Sequence, residues 1–151
     1  MAVLRDNPYA STNFLVDLGD GDDGSVDAGL LEVVFPEARL AVQNYRTGNE
    51  RTAEPRKIQT LTQYGNLILR RGGIGSLSWY NWWNQARNGE VKNCIRTVSV
   101  KLLSEDRAGV VLTWKFIRAR PVCHQFSSLH ALGAGSQLES LELAFERLEM
   151  E

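Results

Sequence analysis

The most reactive side chains in this chain are two cysteines and two histidines: Cys94, Cys123, His124 and His130. A cysteine attacks when an imidazole takes its proton and a third group orients that imidazole in an electropositive setting. Nothing in the sequence fixes such a group, and Cys123, close behind Pro121, reads as a small packed hydrophobe. The four positions also miss the paired spacing of a zinc site. Asp17, Asp20, Asp22, Asp23 and Asp27 gather oxygens as a calcium loop would. Counted from Asp20, however, Gly24 falls where a ligand is needed. Leu31 takes the twelfth place, which an EF-hand gives to a bidentate glutamate. A solvated turn is the simpler reading.

Gly72, Gly73 and Gly75 precede a helical pattern and could offer backbone amides to a phosphate. The run Ile74-Gly75-Ser76 lacks the lysine of a P-loop, so it reads as a strand-to-helix turn with positive φ. Arg70 and Arg71 form a small basic patch, suited to a polar face or a subunit contact. Trp79, Trp82, Trp83 and Ala86 recur at helical spacing and read as a core stripe. A sugar-stacking platform on that stripe is the alternative. No catalytic, metal or cofactor site is expected.

The elements that would carry these residues are mostly strands. Apolar alternation marks 13–18, 30–35 and 39–46, with Pro36 interrupting the last two. A polar, mixed-charge loop fills 47–57. A long extended segment follows over 57–71, with Gly65 as a bulge. Ser76 is a candidate N-cap for a helix running to about Asn88, with Gly89 as its stop. The strands 94–103 and 110–120 are joined by a hairpin turn at 105–109. In the second of them Val110, Leu112, Trp114 and Phe116 share a face. After a small-residue loop closing in Gly133-Ala134-Gly135-Ser136, the chain ends in a last strand over 136–149. The expected fold is mainly β: two packed sheets or a barrel-like form with one helix, as a single domain over 1–151.

At 151 residues, 43% hydrophobic and 23% charged, this is an ordinary domain that can bury a core. A net charge of -1 offers no attraction to nucleic acid or an anionic membrane. The first residues lack an apolar signal core, and two cysteines make no disulfide framework, so folding in a reducing cytosol is expected.

One ordered set of motifs goes further. Asn13-Phe14-Leu15-Val16 comes first, followed by Tyr45-Arg46-Thr47-Gly48-Asn49 and Lys57-Ile58. Next come Leu61, Tyr64-Gly65-Asn66-Leu67, Leu69-Arg70-Arg71-Gly72, and the tryptophans Trp79 and Trp82-Trp83. Trp114, Phe116, Ala119, Pro121, Val122 and the run Leu138-Glu139-Ser140-Leu141-Glu142-Leu143-Ala144 complete it. In this order they resemble the tail-tube family of contractile phages and extracellular contractile injection systems, related to the type VI secretion tube protein.

The resemblance implies a two-sheet, β-barrel-like subunit with one helix and no enzyme activity. Such subunits form homo-hexameric rings that stack into a tube inside a sheath protein. Baseplate and terminator proteins would close the ends, and cargo or DNA would occupy the lumen. No membrane is involved, and the end point is a phage tail or a released injection particle. Arg46, Asn49, Glu50, Arg51, Glu54 and Arg56 are the expected ring-to-ring contacts, on a loop that Gly48 and Pro55 let swing and then stiffen. Trp79, Trp82 and Trp83 are the expected helix-packing residues. The 19–29 loop is longer than the short turn expected there, and Phe145 stands where many relatives carry histidine, so no role of that histidine transfers. From a different class, a small monomeric β-barrel binding a glycan on the tryptophan helix is the competing reading.

Overall fold

A computed structural model describes residues 2–19, 30–73 and 75–151. Most of the acidic 19–29 loop and Ile74 of the glycine turn therefore lie outside the described residues. The strands are β1 (Phe14–Asp17), β2 (Leu30–Val34), β3 (Ala38–Tyr45), β4 (Arg56–Tyr64), β5 (Leu67–Gly72), β6 (Arg96–Leu103), β7 (Val110–Phe126), β8 (Leu138–Ala144) and β9 (Arg147–Met150). Two helices, α1 (Ser78–Arg87) and α2 (Val91–Cys94), stand between β5 and β6. The second is a four-residue turn where a strand was expected to begin at Cys94.

The long β7 is the spine. Its first part pairs with β6, and its far edge pairs with β9 and then β8. Arg120 faces Ala144, Ile117 faces Arg147 and Trp114 faces Met150, so β8 and β9 follow one antiparallel register. The expected 136–149 strand is thus divided at Phe145–Glu146. At the same level β7 turns a corner. Arg118 takes φ 57, and the register shifts between Arg96 and Val98 on one side and between Pro121 and Cys123 on the other. Pro121, which has no N–H to give, sits at the bulge that tolerates it. Arg118 and Arg120 both reach Glu146, at 3.0 and 3.9 Å.

The strand order β1-β6-β7-β8-β5-β2 makes two sheet halves hinged on that corner. It ends on two short edges, so the barrel-like form stays open between β1 and β2. The expected 57–71 strand is really two. β4 pairs only with β3, β5 belongs to the main sheet, and the chain turns at Gly65, whose N–H donates to the Glu37 carbonyl at 2.9 Å. Val110 is exposed, unlike Phe116, because a register shift between Leu102 and Leu103 breaks the phase there.

Alternation builds the core. Leu67 and Leu69 of β5, Leu141 and Leu143 of β8, Val98 and Val100 of β6, Val16 of β1 and Phe116 of β7 are all buried in one cluster. Helix α1 lays Trp79 and Trp82 on it; Trp83 is half-buried. The Trp82 indole N–H donates to the Cys94 carbonyl at 2.7 Å, which satisfies its one polar atom in a dry site. The helix N-cap position is Leu77 and not Ser76, although the Ser76 hydroxyl accepts the Ser78 N–H at 3.4 Å. Asn88 is its C-cap, and Gly89 follows at φ 79.

Arg71 joins this core instead of a basic patch. It lies in phase with Leu67 and Leu69 and is fully buried. Its Nε donates to Glu139 Oε2 at 3.0 Å, and its guanidinium stacks 4.1 Å over the Trp79 ring. The other carboxylate oxygen, Glu139 Oε1, lies 2.7 Å from His124 Nε2. Arg70, one residue earlier, points to the opposite face and pairs with Glu32 at 2.9 Å.

Deleting a buried indole should cost about 3–5 kcal/mol, so Trp82→Ala should lower the thermal midpoint by roughly 10 °C, and Trp83→Ala by clearly less. Equal small shifts for both would place the stripe outside the core. Arg71→Ala strands a buried carboxylate and should cost about 3–5 kcal/mol. A denaturant melt of that variant with an unchanged midpoint would show the pair is energetically idle.

Candidate functional site

The reactive side chains singled out from the sequence do not converge. Cys94 is buried; Cys123 is exposed on β7 and does not pack as expected, because the bulge after Pro121 turns it out. His124 is occupied by Glu139. His130 lies in the 127–137 loop, where its Nδ1 accepts the Leu132 N–H at 3.2 Å. Among the described residues, no group of three or more His, Cys, Asp or Glu could hold a metal. In the Arg71–Glu139–His124 seam both carboxylate oxygens are already engaged, and the stacking of Arg71 on Trp79 ties α1 to the sheet. Trp79 and Trp82 are 0% and 1% exposed and present no ring face to a sugar.

What the fold does display is surface. Strands β3 and β4 form a ribbon paired only with itself, with Tyr45 opposite Arg56 and Ala38 opposite Tyr64. Leu40, Val42, Tyr45, Ile58 and Leu61 on it are each about half exposed or more. The pairings set Leu40 and Val42 with Thr62 and Gln59 on one face, and Tyr45 and Ile58 with Arg56 and Gln43 on the other. Both faces therefore carry apolar groups in water. A two-stranded ribbon is marginal alone, and an exposed apolar one invites a partner.

The ribbon's tip is the 46–55 loop, and it is built rather than loose. Glu50 Oε1 accepts the Thr47 hydroxyl at 3.1 Å and lies 3.4 Å from Arg56 Nε. Arg46 donates to the carbonyls of Thr52 and Glu50 at 2.9 and 3.1 Å. Of the six loop residues named from the sequence, the structure brings Arg46, Glu50 and Arg56 together, while Asn49, Arg51 and Glu54 stand exposed. The apolar residues beneath them were missed as surface. Their alternation was visible, but alternation alone does not say whether another layer covers it.

The N-terminal segment straps the far end of the main sheet. Arg5 grips Glu105 with two hydrogen bonds, at 2.9 and 2.7 Å, and its guanidinium lies 4.0 Å over Tyr9. Those hydrogen bonds hold the Glu105 carboxyl below the usual carboxylate range. The Val3 N–H donates to Val111 at 3.0 Å, on the β7 edge just past the point where Glu151 exchanges hydrogen bonds with Thr113. In the main sheet β1, β2 and β9 each keep one edge without a strand neighbour among the described residues.

No curated protein sequence matches the chain. Solved structures share its fold. A chain of the anti-feeding prophage baseplate, solved with 6-fold symmetry, superposes with a TM-score of 0.81 at 23% identity, covering 97% of each chain. A chain of the sheath–tube complex of an extracellular contractile injection system, PVC, gives 0.81 at 19% identity over 95% of this chain and 91% of that one. Hcp1 from Flavobacterium johnsoniae gives 0.57 at 18% identity over 91% and 93%. The sequence profile of the family described as T4-like virus tail tube protein gp19 matches residues 10–149, and the chain belongs to that family.

Proposed function

We propose that this chain is the repeating subunit of the inner tube of a contractile particle, an injection system or a phage tail. Six copies close a ring, and rings stack within a sheath between a baseplate and a terminator. The lumen carries cargo or DNA. Assembly takes place in the bacterial cytoplasm, and the subunit has no catalytic role.

The observation that carries this reading is the β3–β4 ribbon, with exposed apolar groups on both faces and no further strand paired to it among the described residues, in a chain of the tail tube family. A ring neighbour would cover one face and a stacked ring the other. Six-fold order is supported by the anti-feeding prophage relative, and the sheath and terminator by the PVC relatives. The 46–55 tip makes the ring-to-ring contact: Glu50 is engaged internally, and Asn49, Arg51 and Glu54 are displayed with mixed charge for pairing across the interface.

Purified protein examined by negative-stain microscopy and sedimentation should show rings and sheathless tubes. A species that stays monomeric at high concentration, even with baseplate partners supplied, would sink the reading. Replacing 47–54 by a two-residue Asn-Gly turn should keep the ribbon paired and leave a folded subunit. The expected phenotype is rings without tubes. Full-length tubes from that variant would move the contact elsewhere.

A further inference from the structure

Leu129 and Leu132 are 80% and 91% exposed at the tip of the 127–137 loop that follows β7. They sit on a built turn. Ser127 N–H donates to the Leu138 carbonyl at 2.9 Å, and Leu138 N–H returns to Ser127 Oγ at 2.7 Å. Gly133 N–H closes onto His130 at 3.0 Å, and a Cβ at Gly133 would stand 3.3 Å from His130. Two bare leucines on a fixed turn form a knob.

A matching hole lies toward the other end of β7. Where the barrel-like form fails to close, a cleft of about 410 Å³ opens between the two sheet halves. Phe14, Leu102 and Trp114 form one wall, and Leu31, Val33 and Phe35 the other. Its volume lies at the lower end of the range that holds small ligands. Leu31 is 62% exposed, and Phe35 leans on Trp114 at 4.7 Å between ring centres. From Trp114 to Phe126 the strand runs about 40 Å, taking ~3.3 Å per residue, so knob and hole sit apart on one subunit.

We propose that the Leu129–Leu132 knob seats in this cleft of a second copy of the chain. The inference rests on the tube reading and names one contact within it. Unlike surfaces at separate ends give a heterologous contact, which propagates or closes a ring, whereas an isologous dimer needs one patch to meet itself. Charge favours the match. The one charged residue lining the cleft, Glu32, is held by Arg70, and the knob's His130 already accepts a hydrogen bond within its turn. Docking thus desolvates no unpaired charge.

The test uses the full chain carrying Cys123→Ser, which removes the exposed native thiol. Leu129→Cys and Leu31→Cys are introduced singly and together, and assembled particles are oxidised and run on a denaturing gel. Only the double variant should give a covalent ladder. Particles that assemble normally but run as monomers would overturn the contact while leaving the tube reading intact; failure of the unmodified chain to polymerise would overturn both. In parallel, L129A/L132A should keep the subunit's thermal midpoint yet raise the concentration needed for assembly about tenfold per leucine, with L129M/L132M restoring it. Polymerisation of the alanine variant at the unmodified concentration would also overturn the contact.

Discussion

A strand of 17 residues accumulates twist along its length, so a sheet built around it either coils or breaks. In this chain β7 breaks its own line near Arg118, and the rest of the fold follows from that corner. The residues before it serve β6 and β1, those after it serve β5 and β2, and the C-terminal strands follow the same edge through both halves. The left-handed backbone at Arg118 costs free energy in a non-glycine residue. The two registers it joins compensate, because each half then turns its apolar face onto one cluster. Without the corner, Phe116 and Leu143 could not share a core with Trp82.

The corner leaves a wedge between the halves, and α1 fills it. Two indoles provide the bulk, and the Arg71–Glu139–His124 seam fixes their position. A buried ion pair contributes little net stability by comparison with apolar packing, but it tolerates few alternative arrangements. The seam joins β5, β8 and β7 to the ring of Trp79 and specifies how the helix sits more than how strongly it is held.

Much of this was legible in the sequence. The alternation of Val98, Val100 and Leu102 marked β6, that of Leu67 and Leu69 marked an extended segment, and the spacing of Trp79 and Trp82 pointed to a helix face. Carried two residues on, the period of Leu67 and Leu69 puts Arg71 on the inner face. The sequence reading set Arg71 beside Arg70 in a basic patch, whereas its side chain is buried. Breaks were read less well. Gly65 and Phe145 each divide a segment that looked continuous, because period-2 patterning says which face a residue takes and nothing about which partner its strand has. For the same reason the candidate site was only half visible. Charges at 46–56 announce a loop, but the exposure of Leu40, Val42, Ile58 and Leu61 depends on a layer being absent above them, which is a tertiary fact. Cys123 failed on a bulge that no local pattern encodes.

The surface area points the same way as the ribbon. A compact monomer of 16.9 kDa exposes about 7,700 Å², whereas this chain exposes 10483 Å². The excess is between three and four times the ~800 Å² that one partner contributes to an ordinary interface. Open β edges and apolar ribbons are an aggregation liability in a protein meant to stay alone, and such proteins blunt them with charge, proline or a covering helix. Little of that protection is present here: Leu31 stands 62% exposed on an edge strand, and Leu61 68% exposed on the ribbon. A sequence that leaves large apolar side chains exposed on its edge and ribbon strands is arranged for neighbours that repeat. In a polymer of identical copies every exposed patch recurs at a fixed spacing, so a modest contact per subunit adds up along the assembly. In the proposed assembly the opening between β1 and β2 is covered by a neighbouring copy.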